Sequence, residues 1–222
     1  MRLTHTSVRM LAVLAVLAAA LAWPPTAHAQ QQHFTFKGQG SWTSPTGEFD
    51  VSSPEGQRIT ASTNQPIGFS LALEYRPIER VGFEFNGMYA RPTVDAASVI
   101  PGERIEASGE LLFLPLSGAV NLHMTPGRRV DVYAGGSFLW AIYGDLDLVV
   151  PGEGRSFLRG HNDAGWGMHL GVDVPFGKAG WSFSAAIRYL STDFAFTDVE
   201  DDMDFEMKFN PFVLNIGVSA RF

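Results

Sequence analysis

Two histidines are the residues whose types and positions could support catalysis. His123 and His169 lie in segments of alternating polarity, where Ser117 or Asp173 could share a face with them. A hydroxyl, an imidazole and a carboxylate can form a nucleophilic catalytic set when a fold brings them together. No nucleophile motif flanks either histidine, so hydrogen-bonded structural histidines are the favoured interpretation. We therefore predict no catalytic residue and no enzyme.

A run of acids near the C-terminus is the second candidate for chemistry. Its members are Asp198, Glu200, Asp201, Asp202, Asp204 and Glu206. Closely spaced carboxylates can bind a divalent cation, but a calcium loop also needs a central glycine, which this run lacks. A solvated acidic loop, bridged by cations to lipopolysaccharide, is the favoured interpretation. No metal and no cofactor is predicted, and the chain has no Cys to supply a thiolate ligand.

The N-terminus has the layout of a secretory signal peptide. Two arginines precede an apolar run from Met10 to Trp23, and Ala27-His28-Ala29 offers small residues at the cleavage positions. The run is short for a membrane span, although an uncleaved anchor is the alternative. We predict a signal peptide at 1–29 and one mature domain at 30–222. The net charge of −7 leaves no basic surface suited to nucleic acid.

The mature sequence alternates between apolar and small or polar residues in eight stretches, a pattern that predicts β-strands. The predicted strands cover 33–42, 66–76, 81–90, 110–124, 129–143, 164–174, 181–192 and 209–222. Short and long connections alternate between them. The long ones are expected to be loops, and a short helix could form at Gly154–Gly160.

This arrangement is typical of a bacterial outer-membrane barrel, with short periplasmic turns, long extracellular loops and aromatic residues near the strand ends. No run of about 18 apolar residues follows the signal peptide, so a closed barrel is the structure left for crossing a membrane. The predicted fold class is all-β, an eight-stranded antiparallel transmembrane β-barrel. A secreted soluble sandwich or lipocalin-like barrel is the alternative. Its polar face should be rich in charge, whereas this one is rich in Gly, Ser and Ala.

Strand direction separates the inward residues into two halves. With both termini periplasmic, odd-numbered strands run outward and even-numbered strands run back. The half nearer the periplasm receives a balanced set of charges, with His123 and His169 nearby: Lys37, Glu74, Arg76, Glu84, Asp131, Asp173, Arg188 and Arg221. Charges buried in a narrow lumen must pair to be stable. We therefore predict a charged plug with little open water path.

The half nearer the outside receives apolar residues instead. They are Met88, Leu111, Phe113, Leu139, Leu190, Phe209 and Val213. A water-filled pore would not place them inward, so we predict an apolar ligand-binding pocket. Its ligand would have to leave sideways between strands, and Pro115 and Pro211, which lack an N–H, could each open the wall. Simple packing of these residues, with no ligand, is the alternative.

The chain resembles the OmpW family of small outer-membrane barrels over essentially the whole mature sequence. The segments that carry the resemblance are Leu114-Pro115, Thr125-Pro126-Gly127-Arg128, Val132-Tyr133-Ala134-Gly135-Gly136, Gly165-Trp166-Gly167, Gly171-Val172-Asp173, Ile187-Arg188-Tyr189-Leu190, Phe209-Asn210-Pro211-Phe212-Val213, Ile216-Gly217-Val218 and Arg221-Phe222. The family usually has Trp where Phe212 stands and Tyr where Ala220 stands. The resemblance implies passage of small hydrophobic molecules through a hydrophobic lumen with lateral exit.

The expected partners follow from this location in the outer membrane. They are membrane lipid and lipopolysaccharide, a small hydrophobic solute, and the barrel-assembly machinery, reached through the C-terminal strand that ends in Phe222. A structural or receptor barrel, whose loops bind a host surface or a phage, is an alternative function. A lipid-modifying outer-membrane enzyme is a further one.

Overall fold

The computed structural model describes residues 33–44, 49–52, 58–100, 103–150, 154–177, 180–198 and 204–222. The predicted signal peptide and three of the six acids of the acidic run, Glu200, Asp201 and Asp202, lie outside these residues. Within the described ranges the chain is all-β. These ranges contain no helix that is long and apolar enough to cross a membrane.

The strands of the described ranges number fifteen. They are β1 (Phe34–Ser44), β2 (Phe49–Ser52), β3 (Arg58–Thr63), β4 (Ile67–Ile78), β5 (Val81–Tyr89), β6 (Thr93–Ile100), β7 (Glu103–Glu110), β8 (Phe113–His123), β9 (Asp131–Tyr143), β10 (Leu146–Val150), β11 (Gly154–His161), β12 (Asp163–Pro175), β13 (Trp181–Asp198), β14 (Asp204–Phe209) and β15 (Phe212–Arg221).

Eight of these strands form a closed antiparallel barrel. Each pairs with the next in the order β1, β4, β5, β8, β9, β12, β13 and β15, and β15 pairs back with β1. Closure leaves no unpaired sheet edge, which is the condition for a sheet to lie in lipid. The prediction of an eight-stranded antiparallel barrel is confirmed.

The long connections differ from the prediction, because they continue as strands rather than loops. Strands β2, β3, β6, β7, β10, β11 and β14, with the end of β13, form a second set of antiparallel pairs beyond the barrel. The helix expected at Gly154–Gly160 is wrong, since these residues form β11, which pairs with β10 and β13. Backbone hydrogen bonds across this extension satisfy polar groups that a loop would leave to water.

Two of the predicted barrel strands are interrupted. The fourth was expected at 110–124, but residues 111–112 separate β7 from β8. The closing strand was expected at 209–222, but Asn210 and Pro211 separate β14 from β15. Pro211 cannot donate a ladder hydrogen bond, which explains why the strand breaks there.

The two faces of the wall follow the period of the sequence. Apolar side chains such as Phe69, Phe83 and Ile216 point outward and are exposed on the wall, where the membrane would cover them. Small and polar side chains alternate with them and point into the lumen, where Ser70, Ser184 and others are buried. The narrow interior of an eight-stranded barrel is filled by such side chains.

A glycine on the inner face of β15 provides a test of how tightly the wall is packed. A Cβ added to Gly217 would overlap the carbonyl oxygen of Gly38 and lie 2.6 Å from the Cα of Gln39. These are backbone atoms, which cannot move aside as a flexible side chain could. We expect Gly217→Ala to lower the free energy of unfolding by about 1–3 kcal/mol, the usual cost of overpacking. Urea titration in detergent micelles measures this change.

The matched control is Gly118→Ala, because a Cβ at Gly118 would meet no atom within 4 Å. The control should change the free energy of unfolding by less than about 0.5 kcal/mol, as is usual for surface substitutions. Equal stability of the two variants would show that the approach of β1 and β15 is not tight.

Candidate functional site in the barrel lumen

A network of buried charges occupies the part of the lumen nearer the short turns, and Lys37 lies within it. The Lys37 side chain is fully buried, with its Nζ 2.8 Å from Glu84 Oε2 and 3.3 Å from Glu74 Oε2. The same ammonium group lies 4.3 Å from the centroid of the Tyr133 ring, a cation–π contact. Three strands of the barrel therefore supply partners to one cation.

Two arginines extend the network across the lumen. Arg76 donates to Asp131 Oδ2 at 2.9 Å and to Glu74 Oε2 at 3.0 Å, and its Nη2 lies 3.6 Å from Asp173 Oδ2. Arg188 donates to the other oxygen of Glu84. Paired in this way, the buried charges avoid the large cost of isolated ions in a low dielectric.

Arg221 lies at the margin of the network. Its side chain is 35% exposed, and its Nη2 is 3.8 Å from Asp131 Oδ2. Eight charged residues were predicted from the sequence for the half of the lumen nearer the periplasm. Seven of them are buried, and Arg221 is half-buried. The structure brings all eight to one end of the barrel.

Neutral and imidazole side chains complete the network. His123 places its two ring nitrogens 3.0 Å from Asp131 Oδ2 and 2.8 Å from Glu74 Oε1. Asn121 donates to Glu74 Oε1 at 3.0 Å, and its own Oδ1 lies 2.7 Å from His169 Nε2. Both histidines therefore have carboxylate or amide partners in the lumen.

Asn121 and Tyr133 are network residues that the sequence-based site did not include. Both are fully buried, between charges that the sequence did identify. The available signal was their place on the inward faces of the fourth and fifth predicted strands. In the part of the chain that the structure describes, no group of three or more His, Asp and Glu residues is arranged to hold a metal ion.

An apolar cluster fills the part of the lumen nearer the long connections. All seven residues predicted for this region are buried in it, together with further residues: Met88, Leu111, Phe113, Leu139, Leu190, Phe209, Val213, Ala90, Val94, Ala141, Tyr143, Leu146, Phe194 and Phe196. The last two were missed because they lie in a segment interpreted as an acidic loop. Their positions at every second residue of β13 were the signal of an inward face.

Aromatic rings form the centre of this cluster. Phe113 stacks on Tyr143 with ring centroids 5.5 Å apart and meets Phe209 edge-on at 5.4 Å. Phe194 stacks on Phe209 at 4.3 Å. Such ring pairs contribute roughly 0.5–1.5 kcal/mol each beyond the burial of their area. The cluster is therefore an ordered apolar region and not a water-filled channel.

The barrel wall has a weak seam beside this cluster. The ladder between β5 and β8 runs from Val81↔Leu122 to Gly87↔Leu116, and then only the single bridge Ala90↔Phe113 follows. The unpaired stretch between these points contains Met88 and Pro115. Proline has no N–H to donate to the facing strand, so the ladder is interrupted there. We call this stretch the Pro115 seam.

A second interruption lies at the other proline predicted to open the wall. The β13–β15 ladder ends at Tyr189↔Phe212, and the β13–β14 ladder begins at Thr192↔Phe209. Across this gap the Leu190 N–H still donates to the Pro211 carbonyl at 3.0 Å. Pro211 therefore interrupts a ladder but keeps one hydrogen bond across the wall.

Solved structures with this architecture come from bacterial outer membranes. OprG from Pseudomonas aeruginosa is 17% identical, with a TM-score of 0.70, over 86% of this chain and 96% of that one. AlkL, solved in lipid bilayers, is 14% identical with a TM-score of 0.54 over 90% and 95%. The outer membrane protease OmpT from Escherichia coli is 7% identical with a TM-score of 0.54 over 89% and 99%. At these identities the likeness concerns the fold alone.

Sequence comparisons give the family. No curated protein matches the chain. The family described as "Outer membrane protein beta-barrel domain" matches residues 11–222, nearly the whole sequence. Together with the OprG and AlkL structures, this match confirms the interpretation as a small outer-membrane barrel that resembles the OmpW family. The chain belongs to the outer membrane protein β-barrel domain family and is a protein of the bacterial outer membrane.

Proposed function

We propose that this barrel binds small hydrophobic molecules in the apolar part of its lumen, nearer the long connections, and passes them sideways into the outer membrane. The observation that carries the proposal is the position of the Pro115 seam. Met88, which lies in the seam, is also a buried member of the apolar cluster. An apolar molecule among these side chains would therefore be next to an interruption in the hydrogen-bond ladder of the wall.

The charged network supports lateral exit because it makes the straight route costly. A hydrophobic molecule moving toward the periplasm would have to separate Lys37 from Glu84 and Arg76 from Asp131. Breaking one buried ion pair typically costs 3–5 kcal/mol, and the molecule would offer no polar group in return. The seam requires no charge to be separated, and it opens into hydrocarbon.

The lining also favours a non-enzymatic role. The partners of His123 are two carboxylates, and the partner of His169 is an amide. Neither imidazole is thus placed as a base beside a hydroxyl nucleophile, the arrangement that acyl-transfer chemistry needs. The proposed partners are an apolar solute, lipid and lipopolysaccharide around the barrel, and the barrel-assembly machinery at the C-terminal strand.

A packed structural or receptor barrel is the second candidate. The stacking of Phe113, Tyr143, Phe194 and Phe209 favours it, because these rings occupy the region through which a solute would move. Transport requires the rings to change rotamer, whereas a structural barrel would keep them in place. Uptake measurements separate the two functions.

The test compares decane uptake by cells that lack the chain, produce it, or produce Pro115→Val. The unmodified chain should raise uptake above that of cells without it. Valine supplies the missing N–H, and one backbone hydrogen bond contributes roughly 0.5–1.5 kcal/mol. We therefore expect Pro115→Val to reduce the added uptake about fivefold.

Pro211→Val is the matched control, because it makes the same exchange at a proline between a different pair of strands, and its uptake should stay near that of the unmodified chain. Equal uptake with and without the protein would favour the structural barrel. Unchanged uptake by Pro115→Val would place the exit elsewhere.

A further inference from the structure

An open groove lies on the outer wall of the barrel, across β4, β5, β8 and β9. Its volume is about 460 Å³, within the range of small-molecule sites. Phe83, Phe85 and Val120 border it, and all three are exposed on the lipid-facing side. Gly118 and Gly136 form its floor. The groove is therefore apolar and lies on the outside of the wall rather than in the lumen.

The groove exists because two side chains are missing, not because the backbone is distorted. A Cβ at Gly118 or at Gly136 would meet no atom within 4 Å. The two glycines are on neighbouring strands but do not face each other. Gly136 pairs with Val120, which lies two residues from Gly118 along β8. The floor is thus diagonal and elongated, a shape that accepts an alkyl chain.

The groove is continuous with the Pro115 seam. Gly87↔Leu116 is the last pair of the β5–β8 ladder before the seam, and Phe85↔Gly118 is the next pair on the same outward face. Two residues of an antiparallel strand span roughly 7 Å. The upper end of the groove therefore lies three residues along the strands, about 10 Å, from Met88 and Pro115 in the seam.

We propose that this groove is the external half of the exit path and receives an alkyl-chain solute as it leaves the lumen through the Pro115 seam. This inference rests on the proposed function, because it needs a solute that reaches the seam. A chain lying over the two glycines would contact Phe83, Phe85 and Val120 while it is still partly in the wall. The groove thereby replaces contacts that the solute loses in the lumen, which lowers the barrier to its release.

Filling the floor tests the proposal in the full chain, reconstituted in phosphatidylcholine vesicles. Gly118→Leu and Gly136→Leu should each occupy the groove without disturbing the barrel. Gly40→Leu is the matched control, because Gly40 is exposed on β1 and its Cβ would lie 3.7 Å from the Ile216 carbonyl oxygen, an ordinary contact. A diazirine-labelled decane is photo-crosslinked to each variant, and the labelled residues are mapped by mass spectrometry.

The unmodified chain and Gly40→Leu should be labelled at Phe85 and Val120, relative to the exposed Ile187 on β13, and excess decane should suppress this labelling. In both floor variants, Gly118→Leu and Gly136→Leu, the labelling of Phe85 and Val120 should fall at least about fivefold. Labelling of the floor variants equal to that of Gly40→Leu would overturn the inference. So would labelling by a diazirine-bearing phospholipid that decane does not displace, since bulk lipid would then be the occupant.

Labelling inside the lumen separates this inference from the proposed function. If Met88 and Leu139 are labelled and uptake is normal but Phe85 is not labelled, the groove is wrong and the function stands. If neither the lumen nor the groove is labelled and decane uptake is absent, the proposed function fails, and the inference that rests on it fails with it.

Discussion

Replacing Lys37 with methionine is expected to lower the free energy of unfolding of the barrel by about 3–5 kcal/mol, the usual cost of removing one partner of a buried ion pair. The Lys37 ammonium contacts both Glu84 and Glu74, and none of the three side chains is exposed to solvent. Methionine keeps the length and the apolar stem of lysine, so the change removes the charge with little loss of packing. Urea titration in detergent micelles, followed by tryptophan fluorescence, measures the effect.

Arg221→Met is the matched control for the loss of a lumen cation. Its side chain is 35% exposed, and its contact with Asp131 is 3.8 Å long. Solvent screens such a pair, so the expected loss is about 0–1 kcal/mol. A loss for Lys37→Met as small as that for Arg221→Met would show that the network does not stabilise the barrel.

A double-mutant cycle attributes the effect to the contact itself. Glu84→Gln should also destabilise the barrel, because Glu84 holds Arg188 as well as Lys37. If the Lys37–Glu84 contact is a direct one, the double variant should lose less stability than the sum of the two single variants. The expected difference is about 0.5–3 kcal/mol, the range for residues in one network. Simple additivity would assign the loss to other contacts.

The inward and outward faces of the strands could be predicted from the sequence because they meet different surroundings. One face meets lipid, and the other meets the side chains that fill the lumen. Along β8, for example, Leu114 and Leu116 alternate with Ser117 and His123, and the structure places the first two outside and the others inside. A period of two leaves only two assignments for each strand, and the apolar face must meet the lipid. The fold, the number of barrel strands and the lumen position of the residues that were predicted follow from this constraint.

The pairing inside the lumen could not be predicted in the same way. Arg188 and Glu84 are 104 residues apart, and nothing in their local sequences indicates that they meet. Their contact depends on the stagger of strands around the closed barrel, which a one-dimensional pattern does not contain. The same holds for Asn121, which the sequence placed inward but could not connect to two glutamates and a histidine.

The strands beyond the barrel were missed for a different reason. Strand β10 has five residues, and its apolar residues Leu146, Leu148, Val149 and Val150 do not alternate with polar ones over enough positions to establish a period. Hairpins that continue above a membrane also need no lipid-facing apolar band, so their outer faces can be polar. Backbone pairing between neighbouring connections, which depends on the finished barrel, forms these strands.

The second prediction concerns the apolar cluster of the lumen. Solute uptake should be lost when one of its apolar side chains is replaced by a charged one. Leu111 is fully buried in the apolar cluster. We expect Leu111→Glu to reduce decane uptake to that of cells without the protein. A carboxylate in this region would hold water, and burying an ion against an apolar solute costs several kcal/mol. Since about 1.4 kcal/mol corresponds to a factor of ten, the fall should exceed roughly a hundredfold.

Two uncharged variants make this result interpretable, because glutamine and methionine have similar shapes but differ in polarity. Leu111→Gln buries an amide, at a cost of about 1–3 kcal/mol, and should reduce uptake about tenfold or more. Leu111→Met stays apolar and should transport like the unmodified chain. Each variant must first show the far-ultraviolet circular dichroism of the folded barrel, so that a loss of uptake is not a loss of fold. A folded Leu111→Gln barrel with undiminished uptake would show that the solute does not pass Leu111, and the apolar cluster would then be a packed plug.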